Sequence, residues 1–200
     1  MNLDLAQLAA LAAALGWASG LRLYAAVFIT GAVGYLGWVS LPSGLQLLQH
    51  PVVLGASFLM FVAEFIADKI PGFDTLWDAL HTFIRIPAGA ALAAGALGGD
   101  SATWAMVAAL MGGTLAATSH AAKATTRAAA NTSPEPFSNI ALSLLGDAAV
   151  PAMLWLAWEH PLVFWPLLVL AVVVAVVLIV VLFRFLRALL RRFAPRTAPG

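Results

Sequence analysis

The 200-residue chain contains no cysteine and few charged residues. Without cysteine it forms no disulfide, thiol nucleophile or thiolate metal site, although this absence does not fix the cellular compartment. Charged residues make up 10% of the sequence, against about 25% in an ordinary soluble domain. Hydrophobic residues make up 62%, and the mean hydropathy is +0.96. The composition excludes an ordinary soluble domain and predicts one polytopic membrane domain.

Several sequence signals are also missing. There is no glycine-rich phosphate loop, no serine-elbow motif and no nucleic-acid-binding pattern, so we expect no nucleic-acid partner. No Lys or Arg precedes the first apolar run, and Asp4 lies where a signal peptide would carry positive charge. We therefore expect the N-terminal segment to be retained as part of the membrane domain.

Apolar runs separated by Pro- and Gly-containing segments predict an all-α membrane protein with about six transmembrane helices. The predicted helices span about 5–37, 52–70, 73–97, 102–130, 137–158 and 161–183. The first is longer than a span requires and contains Gly-Trp-Ala-Ser-Gly at 16–20, so it is either tilted or broken. Segment 38–51 suits a short interfacial piece. Residues 1–183 would form one transmembrane domain, followed by a basic cytoplasmic tail at 184–200.

The placement of basic residues predicts the orientation, because Lys and Arg favour the cytoplasmic side. Arginines follow the last helix at 184, 187, 191, 192 and 196. These place the C-terminus in the cytoplasm, and six spans place the N-terminus there too, in a multi-pass protein of a bacterial inner membrane. Ser19–Arg22 resembles Ser119–Lys123, and Glu64–Pro71 loosely resembles Asp147–Pro151. Two inverted three-helix repeats with broken helices would explain both similarities.

The charged residues are concentrated in stripes at helical spacing. Glu64 and Asp68 are four residues apart, and Asp74, Asp78, His81 and Arg85 follow at spacings of four, three and four. The fourth helix carries His120, Lys123, Arg127 and Asn131, and the fifth carries Asn139, Ser143 and Asp147. An ionisable group at membrane depth costs roughly 2.5–3.5 kcal/mol, so these stripes should face an interior or a cavity.

These stripes predict a transporter, flippase or channel-like protein for a small anionic or phosphate-bearing substrate, including a lipid-linked one. The predicted substrate-binding residues are Arg22, Arg85, Lys123, Arg127, Ser19 and Asn131, because arginine's planar fork matches phosphate and carboxylate oxygens. The predicted proton-coupling residues are Glu64, Asp68, Asp147, His81 and His120.

Two other functions fit the same residues. An intramembrane enzyme acting on a lipid-linked phosphate would use a divalent metal held by Asp74, Asp78 and His81, with His120 or Glu64 completing the site; otherwise no cofactor is expected. A structural or assembly protein would use the charges only to fix helix register, which suits their balance of five of each sign. Against this, a buried ion pair commonly fails to recover its desolvation cost.

The stripes also predict how the helices pack. Helices two and three bring four carboxylates together, so cations must come from Arg22 in helix one and from Lys123 and Arg127 in helix four. We therefore expect helices one and four to pack against the hairpin of helices two and three, with helix six outside. The Ala- and Gly-rich surface at 88–99 would allow close approach of another helix, either from the same chain or from a second copy in a homo-oligomer.

The chain resembles a family of small bacterial inner-membrane proteins known as a domain of unknown function, the DUF4126 type. The residues that carry the resemblance are Ser19-Gly20-Leu21-Arg22, the block 64–71 with Ala67-Asp68-Lys69, then Asp74, His81, Arg85, His120, Lys123 and Arg127, and finally Ser143-Leu144-Leu145-Gly146-Asp147. The family pattern has a second acidic residue where Gly146 stands, so Asp147 would act alone here. The resemblance implies a polytopic membrane protein and no particular activity.

Overall fold

The computed structural model describes residues 3–70, 72–99, 101–132 and 137–193. These residues form α1 (Leu5–Tyr35), a 3-10 segment (Ser43–Gln49), α2 (Pro51–Ala67), α3 (Phe73–Leu97), α4 (Ala102–Ala130), α5 (Phe137–Glu159) and α6 (Pro161–Phe193). Five of these helices are long and apolar enough to cross a membrane, or six if the 3-10 segment and α2 form one span bent by 72°. The predicted all-α membrane fold is confirmed at this level.

The helix boundaries follow local capping chemistry. Asp4 begins α1 because its side chain accepts from the Gln7 backbone N–H at 2.8 Å, while the Gln7 side chain accepts from the Asp4 N–H at 2.9 Å. Pro51 occupies the first turn of α2, where its missing N–H has no consequence. Gly72 precedes α3 with φ of 86°, a conformation that favours glycine. Pro71, the other residue of this predicted turn, lies outside the described residues.

The first half of α1 runs antiparallel to α5. Near its start, the Gln7 side chain donates to the carbonyl of Trp158, close to the end of α5. Further along, Arg22 pairs with Asp147 at the middle of the same helix. At Arg22 the backbone leaves helical geometry, with φ of −146° and ψ of 77°.

After Arg22, the second half of α1 runs antiparallel to α2. It turns back towards the end of the bundle where α1 began. Arg22 pairs with Asp68 at the end of α2, and the ring of Phe28 lies 5.2 Å from that of Phe58 in its middle. Gly31 then lies against Leu48 in the 3-10 segment just before α2. Gly44 of that segment packs against Gly95, near the end of α3. The C-terminal ends of α3 and α5 lie at the same end of the bundle, so α1 begins and finishes at that end. It is therefore a re-entrant helical hairpin whose tip is Arg22.

This hairpin corrects two predictions about topology. Gln7 contacts Trp158 near the end of α5, whereas Leu186 of α6 lines a cavity with Arg127, near the end of α4 and hence near the start of α5. Gln7 and Leu186 therefore lie at opposite ends of the bundle. The two ends of the described chain are therefore not on the same side. The first half of α1 also runs parallel to α4, with Gly16 against Gly112, whereas an inverted repeat would make these segments antiparallel.

Small residues allow α1 to occupy the centre of the bundle. A Cβ on Gly16 would lie 2.6 Å from the Gly112 Cα of α4, so Gly-Trp-Ala-Ser-Gly mediates close packing and the break occurs just after it, at Arg22. The Ala- and Gly-rich surface at 88–99 is used in the same way. Its residues Ala93 and Ala96 are buried inside the protein, so part of this surface packs against its own chain. The oligomer contact at this surface stays a prediction.

The outermost helix is α6, which is largely exposed along its apolar length. Its helical structure continues to Phe193, so Arg184, Arg187 and Arg191 lie on the last turns of a helix. The division between a membrane domain and a basic tail at 184 stays a prediction. The side chain of Arg192 and the whole of Arg196 lie outside the described part of the chain.

Candidate functional site: a buried ion network beside an apolar cavity

The charges of five elements form one ion network in the interior. Its members are Arg22, Glu64, Asp68, Lys69, Asp74, Asp78, Arg85, Lys123, Arg127 and Asp147. Each of these residues has at least one partner of opposite charge within the network. The network therefore carries a net formal charge of zero when every member is ionised.

Asp68, at the C-terminal end of α2, is the centre of the network. Its Oδ2 atom contacts Arg22 Nη1, Lys123 Nζ at 3.0 Å and Arg127 Nη2 at 2.9 Å. The carboxylate has no exposed surface. One oxygen thus joins α1, α2 and α4, which confirms that α1 and α4 supply the cations that balance the carboxylates.

Arg85 forms a second centre one to two turns deeper. Its Nη2 lies 2.5 Å from Glu64 Oε1 and its Nη1 lies 2.8 Å from Asp78 Oδ1. Asp78 Oδ1 is also 3.0 Å from Lys123 Nζ, which links the two centres. The Ser19 hydroxyl donates to the Arg85 backbone carbonyl at 2.8 Å, so Ser19 positions α3 against α1.

Asp74 and Asn131 close the network at the basic end of the bundle. Asp74 Oδ2 lies 3.3 Å from Arg127 Nη1, and its Oδ1 accepts from the Thr75 backbone N–H at 2.6 Å and from Asn131 Nδ2 at 3.2 Å. Asn139 of α5 donates to the Asn131 side-chain oxygen. Asn131 is therefore a bridge between three helices.

Asp147 is the network's most accessible carboxylate, with 16% of its side chain exposed, against at most 3% for the other four. Its two oxygens lie 2.9 Å from Arg22 Nη2 and 3.2 Å from Lys69 Nζ. Arg22 Nη2 also donates to the carbonyl and hydroxyl of Ser143 at 3.0 and 2.9 Å. Partial burial lowers the pKa of Lys69, which lies between α2 and α3, and its bond to Asp147 opposes that effect.

The two interior histidines have different roles in the structure. His120 Nδ1 lies 3.3 Å from Arg85 Nη1, and because arginine only donates, this nitrogen accepts. His120 Nε2 then donates to the Thr82 hydroxyl at 2.7 Å, which makes the ring neutral. His81 donates from Nδ1 to the Trp77 carbonyl at 2.8 Å and stacks on the Trp77 ring at 4.2 Å. His81 therefore borders the network without pairing to its charges.

The expected metal ligands Asp74, Asp78 and His81 do not meet. Among the described residues, no three His, Asp or Glu side chains are grouped so that they could hold a metal ion. The two carboxylates already face Arg127, Arg85 and Lys123, and His81 points to its own helix. A cation placed at these carboxylates would be repelled by the neighbouring basic groups.

A cavity of about 360 Å³ lies between α1, α4, α5 and α6 and is open on one side. Arg22, Lys123, Arg127 and Thr126 line it. Its other lining residues are Trp17, Leu21, Ala122, Leu142, Leu145, Gly146, Ala149, Met153, Ala171, Val174, Ala175 and Leu178. The cavity is thus apolar over most of its surface, with basic groups in one part.

A second cavity of about 320 Å³ lies between α3, α4 and α6 on the other side of Arg127. Its lining is more polar and includes Thr75, Asp78, Thr82 and His120. Arg127 lines both cavities, so the network forms the wall between them.

A family model described as a domain of unknown function, DUF4126, matches residues 9–184. The chain belongs to this family. The match covers nearly all of α1 and continues into the basic end of α6, so it includes every member of the ion network. The resemblance noted from the sequence is confirmed. No curated protein and no solved structure matches the chain.

Some residues of the site were not assigned a role from the sequence. Lys69 completes the pairing of Asp147, Ser143 holds the Arg22 guanidinium, and Thr82 holds His120. Ser143 was visible as part of the α5 stripe, four residues before Asp147. Thr82 carried no distinguishing signal, since its position is fixed only by the packing of α3 on α4.

Proposed function

We propose that this multi-pass membrane protein moves a small anionic or phosphate-bearing substrate across the bilayer, with coupling to protons. The observation that supports this most is that Arg22, Lys123 and Arg127 all line one open cavity inside the helical bundle. Broken helices beside buried charges occur at the substrate sites of many transporters, and irregular backbone in a membrane is tolerated only inside protein or at a cavity. The tip of α1 at Arg22 fits that description.

The charge balance of the network supports proton coupling. The network is neutral, so an entering anion would add an unpaired buried charge, which costs several kcal/mol in a low-dielectric interior. A proton taken up by one carboxylate removes that penalty. Asp147 is the best placed, because it is the most exposed of the five and shares Arg22 with the cavity. Protonated Asp147 would weaken its pair with Arg22 and leave Arg22 Nη2 freer to meet the substrate, while Asp68 and Ser143 keep their contacts with the guanidinium.

The basic end of the bundle would face the cytoplasm of a bacterial inner membrane. Arg184 and Arg187 lie at the end of α6 that packs near Thr75 and Arg127, so the cations of α2, α4 and α6 share one end. The positive-inside rule supports this orientation.

Transport in proteoliposomes tests the proposal. Purified full-length protein would be given a panel of inorganic phosphate, carboxylates and phosphate-bearing lipids, with and without an acid gradient. We expect a gradient to drive uptake of at least one of them, and Asp147→Asn to abolish that drive while exchange of the anion continues. Glu159→Gln, an exposed carboxylate on the same helix, is the matched control. Absence of flux for the whole panel, or flux indifferent to both the gradient and Asp147→Asn, would overturn the proposal.

A second function, that of a structural or assembly protein, is favoured by the complete pairing of the network's charges. In that case Asp147→Asn would change the protein's stability and abundance, and no member of the panel would be transported. The same experiment therefore separates the two functions.

A further inference from the structure

The distribution of charge along the 360 Å³ cavity is one-sided. Arg127 and Lys123 lie at the basic end of the bundle, and Arg22 lies just beyond them. The opposite end of the cavity is formed by Trp17, Met153 and Ala171, with no charged residue in its lining. A ligand that matches this surface carries negative charge at one end and is apolar for the rest of its length.

The length of the cavity also points to a class of ligand. On α5 the lining extends from Leu142 to Met153, eleven residues or roughly 16 Å at 1.5 Å per residue. One leaflet of a bilayer provides about half of a hydrocarbon core of ~30 Å. The cavity therefore has the length of a lipid chain in a single leaflet, with its basic groups at the headgroup end.

The open side of the cavity faces apolar surroundings. Leu145 is 68% exposed and Val174 is 47% exposed at its rim, on the outer surfaces of α5 and α6. A lipid could therefore enter sideways from the bilayer without crossing a polar surface.

We propose that this cavity binds an anionic lipid of the leaflet at the basic end of the bundle. The headgroup would lie at Arg127, Lys123 and Arg22, and the chain would lie along α5 and α6 towards Met153. This names the substrate class of the proposed function and rests on it only for the claim that the bound lipid is also moved. Binding itself is tested separately.

The first experiment compares three probes on the unmodified, detergent-purified chain by native mass spectrometry. Phosphatidic acid carries both charge and chains, diacylglycerol carries the same chains without the charge, and glycerol 3-phosphate carries the charge without chains. We expect phosphatidic acid to bind at least about tenfold more tightly than either. A single charge-assisted hydrogen bond accounts for such a factor over diacylglycerol, and burial of the apolar chain accounts for it over glycerol 3-phosphate. Equal binding of diacylglycerol would overturn the headgroup assignment, and equal binding of glycerol 3-phosphate would overturn the lipid assignment.

The second experiment fills the cavity. Ala149 lines it and Ala148, the next residue of α5, is exposed on the outer surface. We expect Ala149→Trp to weaken phosphatidic acid binding by at least about tenfold, whereas Ala148→Trp leaves it unchanged. Equal effects of the two substitutions would show that the lipid binds elsewhere. The probe comparison uses the natural chain, so it decides the question even if Ala149→Trp fails to fold.

Transport of the same probes separates this inference from the proposed function. If phosphatidic acid binds with these properties but is not moved in proteoliposomes, the lipid site stands and the transport function fails. If glycerol 3-phosphate is transported at a rate that Ala149→Trp does not change, the transport function stands and the lipid site is wrong.

Discussion

Arg22 and Asp147 form an ion pair of 2.9 Å that joins the tip of α1 to α5. Arg22 is also the residue at which α1 leaves helical geometry. The same guanidinium reaches Asp68 at the end of α2, so one side chain connects the re-entrant hairpin to two other helices. The turn in α1 and the ion network therefore depend on each other.

Arg22→Met should be strongly destabilising. Removing one partner from a buried pair leaves uncompensated charge and typically costs 3–5 kcal/mol, so we expect a loss of about that size in the free energy of unfolding. Thermal unfolding in detergent measures it. Arg187→Met is the control, because Arg187 is exposed, and its effect should stay within about 0.5 kcal/mol. Similar effects of the two substitutions would mean that the Arg22 pairs contribute little.

The re-entrant hairpin can be tested by cysteine labelling, because the chain contains no cysteine of its own. Ala6 lies at the beginning of α1 and Leu36 directly after its last residue, and both are exposed. Arg187 is exposed near the end of α6, at the opposite end of the bundle. We expect a membrane-impermeant maleimide to label Ala6→Cys and Leu36→Cys from one side of sealed vesicles and Arg187→Cys from the opposite side. Labelling of Ala6→Cys and Leu36→Cys from different sides would show that α1 crosses the membrane.

Glu64 and Arg85 should be energetically coupled, since their side chains are buried and 2.5 Å apart. A double-mutant cycle with Glu64→Gln and Arg85→Gln is expected to give a coupling energy of about 1–3 kcal/mol in unfolding. Glu64→Gln combined with Glu159→Gln serves as the distant pair and should be additive to within about 0.5 kcal/mol. Additivity of the first pair would contradict the contact.

Two glycines should respond in opposite ways to alanine. A Cβ on Gly20 would clash with Ser119 and Ala116 of α4, so Gly20→Ala is expected to destabilise the protein by about 1–3 kcal/mol. Gly55 lies within α2 and has nothing within 4 Å of a Cβ, so Gly55→Ala should be neutral or stabilise by up to about 1 kcal/mol. Paired thermal melts measure the difference, and a stabilising Gly20→Ala would refute the close α1–α4 packing.

The sequence by itself determined the helices and the direction of their charged faces. The boundaries of α3 and α4 agree with those predicted, because the helical runs are long and clearly bounded. Gly72 and Gly98 flank α3, and Asn131 follows α4. The sequence also predicted that Asp68 faces Arg127, since charged groups in a membrane domain require partners.

Only the tertiary structure decided the path of α1. Gly-Trp-Ala-Ser-Gly at 16–20 left open whether α1 is tilted or broken, and no glycine or proline occurs at Arg22 itself, so the sequence did not place the turn there. The break is stabilised by groups more than 40 residues away. Lys123 donates to the Leu21 carbonyl at 3.1 Å, and Asp68 and Ser143 hold the guanidinium. Because these partners are assembled by the packing of α2, α4 and α5, the turn and the cavity beside it appear only in the folded protein.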